Sequence, residues 1–373
     1  MRLPPHKFIT TPRYWQQCLE KLQAEPQLAI DLEANSMFAY RERVCLIQIS
    51  IPGQDYIIDP EAGLDLSGLG EIVQDATVEK VFHAAEYDLI LLKRQYGWQA
   101  ANLFDTMWAA RILGYNQFGL ANILDRLYGI KLDKHYQKSN WCRRPLSPAQ
   151  LSYAQYDTHF LLRLRDDLAA QLEQAGRMEE AQETFVQQTA VTPHNHDFDP
   201  ESYRNISGAN DLNPRQQAIL RELHIYRDQI AEQRDRPLFK IFGDRTLLEL
   251  AKTAPQTQND LKSVYGMSFG QVERYGEALL RVVNRGRHGP LPEPPKRNKR
   301  LPEEVINRYE RLHTWRKERA KKRGVESDVI VSRDALWALA KSNPQTHNEL
   351  AAISELGDWR QRTYGDEILA ILR

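Results

Sequence analysis

The feature that most constrains the fold is an internal duplication in the second half of this 373-residue chain. At a constant offset of 89 residues, the segments 213–284 and 302–373 share 18 identical residues in 72 positions. Each copy has apolar residues at helical spacing, with proline or glycine between the apolar runs. The period is too long for a solenoid repeat. The pattern therefore predicts two copies of one small all-α domain, each with four or five short helices.

The first part of the chain mixes strand and helix patterns. The predicted strands cover 27–33, 43–50, 54–60 and a short stretch near 80–83, and short polar turns make the first three antiparallel neighbours. Helical patterns cover 84–95 and follow Asp105 and Gly119. A long helix begins at Ser147, where the sequence Ser-Pro-Ala-Gln provides an N-cap, a first-turn proline and a capping-box glutamine. Strands followed by helices favour a mixed α/β sheet with helices packed on it.

Changes in composition divide the chain into five segments. Strand patterns stop after about residue 182, and a stretch with five prolines between 286 and 302 is typical of an extended linker. The predicted segments are an α/β domain at 1–182, a linker at 183–211, a helical domain at 212–286, a basic proline-rich linker at 287–300 and a second helical domain at 301–373.

Composition excludes several classes of protein. Hydrophobic residues make up 42% and charged residues 27%, which is typical of globular domains. We expect neither a membrane span nor a secretory signal, because no apolar run is long enough for either. The three cysteines, Cys18, Cys45 and Cys142, lack metal-ligand spacing and favour a reducing, cytoplasmic location.

The formal net charge is zero, but it is unevenly distributed. Residues 1–180 contain 19 basic and 23 acidic side chains, whereas residues 181–373 contain 31 and 27. The densest basic stretch is 296–323, with 12 basic and 4 acidic residues. Such a stretch is compatible with nucleic-acid binding, but on its own it is more often a solvated helix face.

Two carboxylates lie on one face of the predicted strand 27–33. Because side chains alternate along a strand, Asp31 and Glu33 project together, and the strand carries no lysine or arginine. Buried carboxylates repel each other unless a positive group neutralises them, and Mg²⁺ and Mn²⁺ prefer hard oxygen ligands. The pattern is compatible with a metal site. The alternative is a strand end whose acids reach solvent.

Two predicted helices place further acids on apolar faces. Asp88 shares the apolar side of helix 84–95, and Asp157 follows Tyr153 by one turn along an apolar stripe. The simpler interpretations are a helix-edge acid that faces water and a tyrosine that covers the core. If the elements converge, the four acids can bind two divalent cations about 4 Å apart, which would activate a water and stabilise a leaving oxygen. Tyr153 would then orient the attacking water.

Three segments and the duplicated module match the pattern of a known family. AIDLE (29–33), FHAAEYDLILL (82–92) and YAQYD (153–157) resemble, in this order, the motifs of the ribonuclease D family, 3′→5′ exonucleases in the tyrosine subgroup of the DEDD superfamily. The resemblance implies a ribonuclease-H-like fold. It also implies the metal ligands Asp31, Glu33, Asp88 and Asp157, and a catalytic, water-positioning role for Tyr153. The duplicated module is similar to the HRDC domain, which binds nucleic acid.

The resemblance implies a metal-dependent exoribonuclease with one or two bound Mg²⁺ or Mn²⁺ ions, two being expected. It would trim the 3′ ends of structured RNA precursors, with precursors of tRNA as the expected substrate, and release nucleoside 5′-monophosphates. We expect a monomer that does not bind membranes. A DNA 3′→5′ exonuclease and a non-catalytic nucleic-acid-binding protein are the alternatives.

Other polar residues have structural interpretations. We expect Asp105 to cap a helix, His83 to be packed and Gln48 to satisfy nearby backbone. A His/Asp cluster at 194–197 has the chemistry of metal ligands but lies in a predicted linker. Four basic residues precede the catalytic helix: Lys134, Lys138, Arg143 and Arg144. Their positions are equally compatible with contacts to phosphate and with exposure to solvent.

Overall fold

The computed structural model of the chain describes residues 3–133, 135–192, 198–294 and 301–373. Within these ranges, strands form one mixed six-stranded sheet in the order β1-β4-β3-β2-β5-β6. The strands are β1 (Lys7–Ile9), β2 (Gln27–Ala34), β3 (Val44–Ile51), β4 (Gln54–Ile58), β5 (Glu79–Phe82) and β6 (Leu103–Asp105). β2, β3 and β4 pair antiparallel as predicted, whereas β1, β5 and β6 are parallel to their neighbours. β2, which carries two of the predicted acids, is therefore a central strand.

Helices cover this sheet. They are α1 (Pro12–Leu22), α2 (Ser67–Gln74), α3 (Glu86–Tyr96), α4 (Thr106–Ile112), α5 (Leu120–Tyr128), α6 (Pro148–His159), α7 (Leu161–Gln174) and α8 (Met178–Thr189). The capping box that predicted the start of α6 is present, since Ser147 and Gln150 each accept a hydrogen bond from the other's backbone N–H. The single long helix predicted from Ser147 is instead divided at Phe160, whose buried side chain lies at the junction of α6 and α7.

The structure differs from the predicted boundary at residue 182, which falls inside α8. This helix continues to Thr189 because Ala181 and Phe185 are buried in the core of the α/β domain. The predicted linker 183–211 also contains two short 3₁₀ turns, Pro200–Asn205 and Ala209–Asp211. Tyr203 in the first turn is fully buried in the core of the first helical domain. The polar composition of this stretch concealed these buried positions.

Each duplicated segment folds into five helices. The first copy contains α9 (Pro214–Gln233), α10 (Leu238–Ile241), α11 (Asp244–Thr253), α12 (Gln258–Lys262) and α13 (Phe269–His288). The second copy contains α14 (Glu303–Arg323), α15 (Ser327–Ile330), α16 (Arg333–Ser342), α17 (His347–Ala351) and α18 (Asp358–Leu372). Equivalent buried arginines make the same bond in both copies: Arg227 and Arg316 each donate at 3.0 Å to the carbonyl 15 residues later.

The chain divides into two compact units. One contains the sheet, its helices and the second helical copy, and the other contains the first helical copy together with residues 35–43. Residues 35–43 belong to the latter because the Tyr40 hydroxyl donates to Asp228 at 2.8 Å and Lys240 lies 4.1 Å from the Phe38 ring. In the described ranges, every helix is too short or too polar to cross a membrane.

The cysteines differ from the expectation of a fully reduced set. Cys45 in β3 and Cys142, which precedes α6, form a disulfide, while Cys18 is buried and free. The bonded cysteines are 97 residues apart in sequence. Spacing did not suggest the pair because the fold alone brings β3 beside the segment that precedes α6.

Candidate active site

Three of the predicted acids meet on one side of the sheet. Asp31 and Glu33 lie on the same face of β2, and Asp157 lies on α6, which packs across β2, β3 and β4. One carboxylate oxygen from each residue lies within 4.8 Å of the other two. The strand and the helix therefore bring together acids that are more than a hundred residues apart in sequence, in a geometry that suits a shared cation.

Asp88, the fourth predicted ligand, stands at the edge of this group. It lies in the first turn of α3, directly after β5, and is 7% exposed. It is not among the three acids whose oxygens meet within 4.8 Å. Burial, followed by the charges of Asp31, Asp105 and Asp157, nevertheless raises the pKa of Asp88. The Asp88 charge in turn adds to burial and to the other acids in raising the pKa of Glu33. Asp88 is thus coupled electrostatically to the three-acid group without being part of it.

Asp105 fixes the turn that carries Asp88. As predicted, it caps α4, because its carboxylate accepts from the N–H groups of Met107 and Trp108. The same carboxylate also accepts from the N–H groups of Ala84 at 3.0 Å and Ala85 at 2.8 Å, immediately before α3. A residue interpreted only as a cap therefore joins two helix starts, and one of them presents Asp88 to the site.

The electrostatics of the acids favour a bound cation. Burial raises the pKa of Asp31 to about 7. Burial, followed by the charges of neighbouring carboxylates, raises the pKa of Glu33 and of Asp157 well above the usual range. Both causes oppose ionisation, since burial removes the carboxylates from water and the neighbouring acids repel their charge. Carboxylates in such a group are charged at neutral pH at a cost that a divalent cation offsets.

Tyr153 lies one helical turn before Asp157 and lines the same cavity, which has a volume of about 650 Å³. Its ring packs 5.8 Å from that of Trp141. Burial and the charges of Asp157 and Glu33 raise the pKa of Tyr153, so its hydroxyl stays protonated at neutral pH. A protonated phenol beside the acids is available to donate a hydrogen bond to a water or a phosphate oxygen.

Two further polar residues adjoin the acids. His83 lines the cavity, with Nδ1 at 2.9 Å from the Thr106 hydroxyl, and burial lowers its pKa to about 4. Gln48 lies opposite Asp31 in the β2–β3 ladder, and both of its buried amide atoms lack a hydrogen-bond partner among the described residues. The expectation that Gln48 satisfies nearby backbone is therefore wrong. Its position beside Asp31 depends on strand register, which the sequence pattern did not specify.

The cations before α6 do not act as one group. Arg144 pairs with Asp59 at 2.6 Å and donates to the Cys45 carbonyl at 2.8 Å, so it ties this segment to the sheet instead of meeting phosphate. Lys138 and Arg143 are exposed. Lys134 and the cluster at 194–197 lie outside the described residues.

Family models match most of the chain. Residues 7–173 match the 3′-5′ exonuclease family, and residues 216–283 and 306–372 each match the HRDC domain. The duplication predicted from the 89-residue offset thus corresponds to two HRDC domains.

Curated relatives match this chain over nearly its whole length. Ribonuclease D of Gluconacetobacter diazotrophicus is 31% identical over 99% of this chain and 93% of that protein. Ribonuclease D of Pseudomonas paraeruginosa is 30% identical over 98% and 99%, respectively. Among solved structures, the catalytic core of RRP6 from Trypanosoma brucei has a TM-score of 0.68 and 28% identity, covering 76% of this chain and 79% of that one.

The fold of the whole chain is shared with a solved exoribonuclease. Escherichia coli RNase D, an exoribonuclease involved in structured RNA processing, has a TM-score of 0.70 and 24% identity, and the match covers 99% of each chain. The mixed sheet with its helices and the two helical domains agree with the predicted fold class. The chain therefore belongs to the ribonuclease D family and is a 3′→5′ exoribonuclease whose catalytic domain is followed by two HRDC domains.

Proposed function

We propose that the acidic cavity is the catalytic centre and that the enzyme removes nucleotides one at a time from the 3′ ends of structured RNA precursors. Precursors of tRNA are the expected substrates, and nucleoside 5′-monophosphates are the expected products. One observation carries the proposal: the carboxylates of Asp31, Glu33 and Asp157 converge within 4.8 Å in a cavity that Tyr153 also lines.

The residues present fit divalent cations. Asp31, Glu33, Asp88 and Asp157 offer carboxylate oxygens, which Mg²⁺ and Mn²⁺ prefer. Asp31, Glu33 and Asp157 would hold one ion, and Asp88 would contribute to a second. When bound, the ions supply activation of the attacking water and stabilisation of the leaving oxygen.

The remaining groups have positioning roles in this proposal. Tyr153 donates a hydrogen bond that orients the attacking water, because its pKa is raised and its hydroxyl stays protonated. A cavity of about 650 Å³ has the size of a small-ligand site and can hold a terminal nucleotide. In this proposal the 3′ end is single-stranded when it passes between the acids, and stable duplex ends should resist digestion.

The proposal extends to the assembly and location of the protein. The enzyme acts as a monomer in the cytoplasm, where RNA precursors are processed. Sedimentation of the full-length protein across a range of concentrations tests the first part. A constant mass of one chain agrees with it, and a concentration-dependent dimer would contradict it.

The decisive experiment uses 5′-labelled single-stranded RNA with Mg²⁺. We expect a ladder that shortens from the 3′ end, lost with EDTA and in the Asp31→Asn variant, with Tyr153→Phe giving a slower ladder. RNA that stays intact with both Mg²⁺ and Mn²⁺ would overturn the proposal. A matched DNA oligonucleotide tests the alternative substrate, and faster digestion of the DNA would favour it. A tRNA precursor with a 3′ extension, compared with an unrelated structured RNA, tests the substrate class.

A further inference from the structure

Gln48 is a polar side chain that the fold buries without a hydrogen-bond partner. It lies in β3 and is 0% exposed. Both its amide nitrogen and its amide oxygen lack a hydrogen bond among the described residues. Burial of an amide without hydrogen bonds destabilises a fold, so a residue of this kind at this position requires a physical reason.

The face of β3 that carries Gln48 packs against α6. Side chains alternate along a strand, so Leu46, Gln48 and Ser50 lie on one face. Leu46 packs in one apolar cluster with Ala154 of α6, and the Ser50 hydroxyl lies 2.8 Å from the hydroxyl of Thr158 in the same helix. Gln48 is therefore enclosed between the sheet and the helix that brings the third acid to the site.

The strand pairing gives Gln48 one polar neighbour. On β4 the residue directly opposite is Ile57, which is apolar, and on β2 it is Asp31. Residues directly opposite in an antiparallel pair lie on the same face, with Cβ atoms about 4.5–5.5 Å apart. The Gln48 amide can therefore reach the Asp31 carboxylate by rotation about its own side-chain bonds.

A second glutamine in the same layer has its hydrogen bonds satisfied. Gln155 of α6 is 2% exposed, and its Nε2 donates to the Asp55 carboxylate at 2.5 Å and to the Pro4 carbonyl at 2.8 Å. The interface between α6 and the sheet thus provides partners for one buried glutamine and withholds them from the other. The glutamine without partners is the one beside the acids.

We propose that Gln48 is a positioning residue of the metal centre: its Nε2 donates a hydrogen bond to the Asp31 carboxylate and orients it toward a bound cation. The inference rests on the proposed function, which assigns Asp31 as a ligand. A carboxylate that binds a cation through one oxygen can accept a hydrogen bond at the other, and such bonds orient the ligand and strengthen metal binding. Gln48 acts through Asp31 and does not itself contact the reacting atoms.

The test compares Gln48→Met with Gln155→Met in the full-length protein, without RNA. Methionine is unbranched like glutamine and removes both polar atoms. The affinity for Mn²⁺ is measured by EPR of the free ion. We expect Gln48→Met to bind Mn²⁺ about 10–100-fold more weakly than the wild type, the usual effect of losing a hydrogen bond to a metal ligand. Gln155→Met should stay within about threefold, because its hydrogen bonds go to groups that are not ligands.

Urea unfolding of the metal-free variants separates a positioning role from a structural one. Gln48→Met should leave the unfolding midpoint unchanged or raise it, because it removes an amide that has no partner. Gln155→Met should lower the midpoint, because it removes a donor from Asp55 and from the Pro4 carbonyl. The two substitutions should therefore affect metal affinity and stability in opposite ways.

The same titration with Asp31→Asn separates the possible failures. Wild-type Mn²⁺ affinity in Gln48→Met, or equal losses of affinity in Gln48→Met and Gln155→Met, would overturn the positioning role. If Asp31→Asn loses binding and Gln48→Met does not, the positioning role fails alone and the proposed function stands. Wild-type protein that binds no Mn²⁺ would overturn both.

Discussion

Two groups of buried or half-buried carboxylates in the unit that contains the exonuclease domain differ in their partners, since one group pairs with arginines and the other lies among acids. In α8, fully buried Glu180 pairs with Arg323 at 2.6 Å, and Glu183 pairs with Arg360 at 2.7 Å. Both arginines belong to the second HRDC copy, so these pairs dock that copy on the exonuclease domain. In the cavity, by contrast, Asp31 is buried and Glu33 is buried beside other carboxylates, whose charges raise its pKa.

The partners of a buried acid indicate whether it has a structural or a functional role. An acid that is paired with a buried arginine holds a structure together, and removing one partner leaves a charge without compensation. Acids grouped without a cation destabilise the fold, and such groups mark functional sites because the compensating charge comes from a ligand. Replacing acid by amide should therefore have opposite consequences in the two regions.

The two regions should differ most in activity, which the amide variants Asp31→Asn and Glu183→Gln compare. Asp31→Asn should lower kcat on single-stranded RNA by roughly a thousandfold or more, because loss of a metal ligand removes several kcal/mol of transition-state stabilisation. Glu183→Gln, measured under conditions where it is folded, should keep kcat within about threefold, since it touches only the docking surface. Steady-state rates of both variants test this. Equal losses of activity would remove the distinction between the two regions.

The next effect is on stability, at Arg360. This side chain donates to the carbonyls of Ile330 and Val329 as well as to Glu183. Arg360→Gln should lower the free energy of unfolding by about 3 kcal/mol, because Glu183 stays buried without its partner. Urea unfolding of the full-length protein measures this change.

The first HRDC copy provides the matched control for Arg360. Its equivalent residue, Gln271, donates to the Ile241 carbonyl at 2.9 Å, just as Arg360 donates to the Ile330 carbonyl at 2.9 Å. Gln271→Ala should cost about 1 kcal/mol, the usual contribution of one hydrogen bond. A cost for Arg360→Gln no greater than this would show that the ion pair does not stabilise the docked state.

Arg323 and Arg234 form a second matched pair with a smaller difference. Arg323 pairs with Glu180 and donates to the Ile112 carbonyl, whereas the equivalent Arg234 lies 4.9 Å from the centre of the Tyr275 ring. We expect Arg323→Ala to cost about 2 kcal/mol, because Arg177 at 3.4 Å continues to compensate Glu180 in part. Arg234→Ala should cost about 0.5–1 kcal/mol, the range of an exposed cation–π contact. Urea unfolding of both variants gives the comparison, and the reverse order would contradict it.

The smallest expected effect is the pH dependence of stability without metal. Since burial raises the pKa of Asp31 to about 7, the folded state binds more protons than the unfolded state between pH 4 and pH 7. The free energy of unfolding in EDTA should therefore fall as the pH rises from 5 to 8, by on the order of 1–2 kcal/mol because solvent reaches these partly buried acids. Asp31→Asn should flatten this fall. A stability that rises over this range in EDTA would show that the acids are compensated without metal.

Local patterns predicted much of the fold. The antiparallel strands β2, β3 and β4 alternate clearly or are strongly apolar, and the start of α6 has a complete capping box. β1 and β6 each have three residues, too few for alternation to be recognised. The division at Phe160 depends on burial of one side chain, which the helical pattern of the sequence does not show.

The residues of the candidate site could be singled out from the sequence, whereas those of the docking surface could not. Asp31, Glu33, Asp88 and Asp157 stand out because acids on apolar strands and helix faces are locally anomalous, and a family resemblance supports them and adds Tyr153. The pair of Glu183 with Arg360 joins residues 177 positions apart, and neither residue is unusual in its own helix. Long-range docking contacts and the neighbourhood of Gln48 and Asp31 depend on tertiary packing and strand register, which local patterns do not contain.

A calorimetric titration of metal-free protein with Mn²⁺ at pH 7, in two buffers that differ in ionisation enthalpy, tests whether the acidic cavity binds metal. We predict that the wild type binds Mn²⁺ and releases protons as it does so, because the raised pKa of Asp31 keeps the site partly protonated at this pH. Asp31→Asn should lose this binding, while Glu183→Gln should retain it. Wild-type protein that binds no Mn²⁺, or binding that survives unchanged in Asp31→Asn, would contradict the assignment of the acidic cavity as the catalytic metal centre.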